Sequence, residues 1–392
     1  EDYLINGFIK NGKLNFLNQL NVNNLSLNFD IRKNKYSLTK IITEIKDIKF
    51  SSPLIEIGEK KNLFLIKGKI LTNEKKFDKD QLHILANFLK NPNIEKAIFS
   101  SENDFSLNIS KKLKIKNIKI ESKVNLDHLV VRNKFLDLKT YLPNLEKVIN
   151  FEKHVIKIKY NKDKLNIKGN GKILIKNKLD SINYEIIKNN DKFIFTTKTN
   201  LKNNKIFIDF LDYKKKENLD ASILIKGNFK KNDLINFDLI SLSEKKNIIA
   251  IKNLSLSKDF KIISMDSLNF DYVNSKKIKN QLLLKKNNSN YTIEGKSFDA
   301  TKLINKIMAS DDESTPLFDN FNSKISLKIN KTYIDEVNFI NNLSGILNFK
   351  DNKIVDLSLK SFFSGNKIIN LSIKTNDKQE KITKLSTDHP KP

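Results

Sequence analysis

The stretch "KLNIKGNGKILIKNKLDSINYEIIKNNDKFIFTTK" (Lys164–Lys198) sets Leu, Ile and Phe against Lys and Asn with a period near two, and this alternation decides the fold class. Such a period puts the apolar side chains on one side of a strand and the polar ones on the other, as in an antiparallel sheet wet on one face. Within it "KNND" (Lys188–Asp191) carries turn chemistry, and "GNG" (Gly169–Gly171) reads as a hairpin turn between two strands rather than a phosphate cradle. The same pattern recurs in "LSLNFDI" (Leu25–Ile31), "FSLNIS" (Phe105–Ser110), "LKIKNIKI" (Leu113–Ile120), "KISLKIN" (Lys324–Asn330) and "VDLSLKSF" (Val355–Phe362). The expected fold is mainly β, one long antiparallel meander.

Geometry limits how such a chain packs. At about a dozen residues per strand and turn it supplies on the order of thirty strands, whereas open sheets seldom exceed ~10 without curling or splitting. A sheet with one apolar face can fold over that face into an elongated, U-shaped, taco-like β-groove on the order of 140 Å long. Two or three closed sandwiches would bury the same faces. Three divisions are expected. Residues 1–150 form an N-terminal groove section with helices near 78–90 and 141–151, and 151–298 a central section. Residues 299–392 hold a helix over 299–309, an acidic loop and the last strands.

The helical spacing lies in "DKDQLHILANFLKNP" (Asp78–Pro92), "TYLPNLEKVINFE" (Thr140–Glu152) and "YTIEGKSFDATKLINKIM" (Tyr291–Met308). In the last, Gly295 is expected to let the sheet edge turn and Asp299 to cap the helix. Leu303, Ile304 and Ile307 then form the apolar side of a candidate lid.

Composition excludes much chemistry. The 392 residues contain no Cys, so disulfides, thiolate metal sites and cysteine nucleophiles are out. The net charge of +27, from 72 Lys and Arg against 45 Asp and Glu, suggests a polyanionic partner. Yet arginine occurs only at Arg32 and Arg132, while nucleic-acid readers favour its fork of donors. Codon bias toward lysine and asparagine explains the excess more simply, and attraction to anionic lipid surfaces is compatible with it. The four histidines, His83, His128, His154 and His389, show no metal-binding spacing, and the acidic run Asp311, Asp312, Glu313 lacks the ligand alternation of a calcium loop. No catalytic motif, metal or cofactor is expected. No apolar run is long enough to cross a bilayer and no signal peptide is visible, so a segment of a longer protein is expected, its anchor outside these residues.

What remains is the apolar face itself. Its expected lining runs through Leu165, Ile167, Ile173, Ile175, Phe193 and Phe195, then Ile206, Ile208, Phe210, Ile223 and Ile225. It continues through Leu268, Phe270, Ile325, Leu327, Ile329, Leu347 and Phe349.

The C-terminal third resembles the AsmA-like proteins of Gram-negative bacteria, of the long YhdP and TamB type. The resemblance rests on Gly295, Phe298, Asp299 and Ala300, then on Leu343, Gly345, Leu347, Ile354, Leu357 and Leu359 in "NLSGILNFKDNKIVDLSLKSFFSG" (Asn342–Gly365). The "TYLPNLEKVIN" segment resembles a proline-containing helix of the same family. The resemblance implies a periplasmic groove, tethered to the inner membrane, through which phospholipid passes toward the outer membrane without chemistry, with a possible outer-membrane protein partner. Two other classes stay open. One is a scaffold for outer-membrane protein assembly that carries no lipid; the other is a basic polyanion-binding surface protein.

Overall fold

The computed structural model describes residues 3–16, 20–45, 47–60, 63–78, 82, 94–133, 136–230, 234–304, 320–375 and 380–388. They belong to two compact units, Glu1–Leu136 with Leu145–Phe193, and Asp137–Asn144 with Ile194–Pro392.

The first unit is built from β1 (Leu4–Phe16), β2 (Leu20–Arg32), β3 (Lys35–Ile45), β4 (Ile48–Lys60) and β5 (Leu63–Asp78). It continues through β6 (Ile94–Ser110), β7 (Ile115–Arg132), β8 (Val148–Asn161), β9 (Lys164–Ile175) and β10 (Lys178–Asn189). Each strand pairs antiparallel with the next.

β11 (Lys192–Asn200) leads into the second unit, where β12 (Ile206–Ile208) and β13 (Tyr213–Lys215) form a separate small hairpin. The main sheet there comprises β14 (Ser222–Lys230), β15 (Ile235–Glu244), β16 (Asn247–Leu256), β17 (Ile262–Ser264), β18 (Ser267–Val273) and β19 (Lys279–Asn287). After these come β20 (Asn290–Asp299), β21 (Ser323–Tyr333), β22 (Phe339–Lys350), β23 (Lys353–Phe362), β24 (Ile368–Thr375) and β25 (Lys381–Thr387). Pairing is antiparallel between neighbours except at β20 and β21, which run parallel with Tyr291 beside Ile325 and Gly295 beside Ile329. A parallel pair needs a connection of a dozen or more residues, and 23 residues, 300–322, separate β20 from β21 in the sequence.

The fold is therefore mainly β and largely a meander, as the alternation predicts. Its strands are longer than expected, up to 18 residues in β7, so fewer of them use the chain. Asparagine has a structural use that codon bias does not anticipate. Among 23 described non-glycine residues with positive φ, twelve are Asn, which tolerates the left-handed region. Some sit inside strands where the register shifts: Asn11, Asn24, Lys40, Asn117 and Lys153 in the first unit, Asn342 in the second. Each is a β-bulge, which bends its strand and raises the local twist.

Several local expectations need correction. Tyr141–Lys147 forms turns and irregular backbone, preceded by a short 3-10 turn at Leu136–Thr140, and the strand β8 starts at Val148. Val148 and Ile149 pair with Arg132 and Val131, so ladder hydrogen bonds override a helical pattern already interrupted by Pro143. Gly169–Gly171 is no hairpin turn; it lies inside β9. Gly295 likewise sits within β20, at a bulge where a Cβ would come within 2.8 Å of the Gln281 carbonyl oxygen. The sheet needs close backbone approach there, not a turn. The helix start after Asp299 is present at Thr301–Ile304, with Thr301 N–H donating to Asp299 Oδ1 at 3.0 Å and Ile304 N–H to Ala300 O at 2.8 Å. Ile307, most of the helix expected near 78–90, the acidic run, His83 and His389 lie outside the described residues.

Candidate functional site

Strand register assembles the apolar positions into rows perpendicular to the strands. In the second unit Ile225 faces Ile240, Ile240 faces Ile251, and Ile251 faces Leu268. The row continues through Leu284 and Ile293 to Leu327, and beyond Gly345 through Leu359 and Leu371. A parallel row joins Ile223, Leu242, Ile249, Phe270 and Leu282. Residues directly opposite share a face, so Ile223, Ile225, Leu268, Phe270, Ile325, Leu327, Ile329 and Leu347 all line one side of this sheet. Phe349 and Tyr291 pack on Phe321 at its margin, with ring centroids 5.3 and 5.7 Å away. Phe195 packs tilted against Phe229 and edge-on against Phe237, and its ring fills part of the space a Cβ on Gly227 would need.

The first unit repeats the arrangement. Gly7, Phe29, Leu38, Ile55 and Gly68 form a row that continues through Phe105, Ile120 and Tyr160 to Leu165. Ile167 lies between Ile158 and Ile186, and Ile173 beside Phe151. Most of these side chains are only half-buried; Ile175, at the strand end, is buried. Phe193 opens β11, with the Lys188 ammonium 5.6 Å from its ring centre.

One end of the face is closed in the second unit, by a hairpin that periodicity does not reveal. Ile206, Ile208 and Phe210 were expected in the lining. Instead the first two form β12, packed as a cover, and Phe210 sits in the 3-10 turn Asp209–Leu211, 40% exposed. The cause is Asp212, whose left-handed backbone (φ 47°) folds the segment back on itself. β13 thereby places Tyr213, 1% exposed, edge-on against Tyr272, 0% exposed, with ring centroids 5.7 Å apart. Tyr213 OH donates to buried Glu244 Oε2 at 2.5 Å, and Tyr272 OH donates to Leu211 O at 2.9 Å. Burial pushes both phenols well above their ordinary range, with the Glu244 hydrogen bond and charge adding to the shift at Tyr213. Both therefore stay protonated donors. Lys302 and Ser275 tie the hairpin to its surroundings through Asp209 and Asp212. Leu303, exposed, and Ile304, half-buried, lie on the described turn of helix, whose Lys302 reaches Asp209.

In the first unit His154 is one of several buried polar side chains, with Thr72 and Ser101 among the others. Its ring lies over Gly171, where a Cβ would meet the imidazole at 2.2 Å, while Tyr184 lies over Gly169 in the same way. His154 Nε2 is 2.9 Å from Lys172 O and Nδ1 is 3.3 Å from Tyr184 OH. Burial lowers the imidazole below 6.5 against the opposing effect of the Lys172 carbonyl, and burial raises Tyr184 to about 12. The in-strand "GNG" thus makes room for two rings, a role legible only once β8, β9 and β10 are paired.

On the opposite, polar face a cleft of about 470 Å³ opens beside Asp271, Gln281, Glu294, Lys296 and Lys328. A hydrogen bond from Lys279 holds the Asp271 carboxyl below its usual range. Among the described residues no three His, Asp or Glu side chains converge as a metal site requires, and no helix is long and apolar enough to cross a membrane. No protein-family model, curated protein or solved structure matches this chain.

Proposed function

We propose that the chain is a periplasmic segment of an AsmA-like protein of the YhdP and TamB type, whose sheet curls into a groove that shelters phospholipid acyl chains between inner and outer membrane. The observation that carries this reading is the row from Ile225 through Ile240, Ile251, Leu268, Leu284 and Ile293 to Leu327, apolar across seven strands with every side chain half-buried, while the neighbouring row is buried at Leu242, Ile249, Phe270 and Leu282. A closed sandwich core would bury the middle of such a row completely. In-strand bulges are compatible with a curled sheet, because each bends its strand and raises the local twist. Each methylene sheltered contributes roughly 0.8 kcal/mol, so one long acyl chain gains about 10 kcal/mol without a directional contact. No catalytic step is part of the reading. An inner-membrane anchor outside these residues and an outer-membrane protein partner belong to it.

Native mass spectrometry after gentle extraction tests the proposal. Co-purified phospholipid near one or more molecules per chain is expected, displaced by added fatty acid. A lipid-free protein that takes up no phospholipid from vesicles overturns it.

A further inference from the structure

Two turns place a bulky apolar residue where its backbone is strained and its side chain stands in solvent. In the first unit Ser110–Lys114, "SKKLK", closes through Leu113 N–H to Ser110 O at 2.8 Å and Lys114 N–H to Ser110 Oγ at 3.1 Å. In the second unit Ser257–Lys261, "SKDFK", closes through Phe260 N–H to Ser257 O at 3.0 Å and Lys261 N–H to Ser257 Oγ at 3.1 Å. The fourth residue is left-handed in both, Leu113 at φ 56° and Phe260 at φ 59°. They are 58% and 56% exposed.

That conformation favours Gly, Asn and Asp and is an outlier for a bulky side chain. The second unit provides an internal control. At the opposite end of its strands Asn274–Ile278 closes in the same way, through Lys277 N–H to Asn274 O at 3.1 Å and Ile278 N–H to Asn274 Oδ1 at 2.9 Å, and there the left-handed position holds Lys277 (φ 64°). Turn geometry therefore does not call for an exposed Leu or Phe at this position.

Surrounding charge indicates a use for them. Leu113 stands among Lys111, Lys112 and Lys114, at the strand end that also carries the lysine-bearing turns at Lys33–Asn34 and Lys162–Asp163. Lys111 reaches Glu59 at only 3.9 Å with 58% of its side chain exposed. Phe260 stands between Lys258 and Lys261, with Asp259 beside it, at the end shared by Lys285, Lys286, Lys350 and Lys353. An apolar tip inside a lysine collar fits a surface that has hydrocarbon just beneath phosphates. Nucleic acid fits worse, since leucine has no ring on which a base can stack.

We infer that Leu113 and Phe260 are membrane-contacting tips, inserting at the interface of an anionic phospholipid surface while the flanking lysines engage its phosphates. This does not depend on what the apolar sheet face carries. The chain has no Trp, so Leu113→Trp and Phe260→Trp each introduce a single reporter, with Lys277→Trp as the control. Phosphatidylglycerol vesicles are expected to blue-shift the first two and leave the third unchanged. The full-length Leu113→Asn/Phe260→Asn variant should bind those vesicles roughly tenfold more weakly, with an unfolding midpoint no lower than that of the original chain. Unshifted reporters, undiminished binding by the Asn variant, equal binding to phosphatidylcholine, or a matching loss of binding to double-stranded DNA would each overturn the inference. Co-purified phospholipid unchanged in the Asn variant separates this result from the fate of the groove reading.

Discussion

Two regions of one sheet face in the second unit have the same residue types and different roles. Around Tyr272 the β12–β13 hairpin lies over the face, so Tyr213, Tyr272 and Leu211 are buried and their polar atoms paired. A few residues away Ile225, Ile240, Ile251, Leu268 and Leu284 alternate just as regularly and remain half-buried. An apolar stripe is thus core only where another segment covers it. Elsewhere it is a surface that gains by being covered, and this difference is what the groove reading uses.

The contrast can be broken hardest at its buried end. Tyr272→Ala should lose about 3–5 kcal/mol of stability in denaturant unfolding, because it leaves a cavity under the hairpin and frees the Leu211 carbonyl. In the first unit Gly171→Val should cost about 1–3 kcal/mol, since the new side chain occupies the position of the His154 ring; a loss under 0.5 kcal/mol, roughly the effect of an ordinary surface change, would refute the close-approach account. Tyr213→Phe should cost about 1–3 kcal/mol by stranding buried Glu244, and Tyr213→Phe combined with Glu244→Gln should recover part of it.

The open region predicts the reverse balance. Ile240→Asp, in the middle of a half-buried row, should change stability by about 1 kcal/mol because the charge can hydrate, yet remove most co-purified lipid. Global unfolding of that variant would mark the rows as closed core. The smallest effect concerns pH. With its folded pKa depressed below 6.5, His154 adds no pH dependence above that value, where it is neutral folded or unfolded. As pH falls through 6.5 the unfolded chain takes up the proton first, so stability declines until the folded pKa is reached. His154→Gln should flatten that part of the stability profile.

Much of this was legible in the sequence. The alternation around Leu165, Ile167, Ile325 and Leu327 specified strands and the face each residue lines, because a strand has only two sides. Asp299 was legible as a cap from its place before a helical spacing. Ile208 was misread because "KIFIDF" alternates like any other strand, and nothing local says that Asp212 folds it back as a cover. Val148 and Ile149 fit a helix until Arg132 and Val131 arrive as ladder partners.

Sequence alone therefore determined the β character, the two-faced strands and the absence of thiol chemistry, all of which follow from residue type and spacing over a few positions. Tertiary structure alone decided which stretch of apolar face is covered, why Gly169 and Gly171 must lack side chains, and that Leu113 and Phe260 stand out from lysine-collared turns. These depend on which strand lies beside which and on what crosses the face, and such contacts join residues tens of positions apart that no local period records.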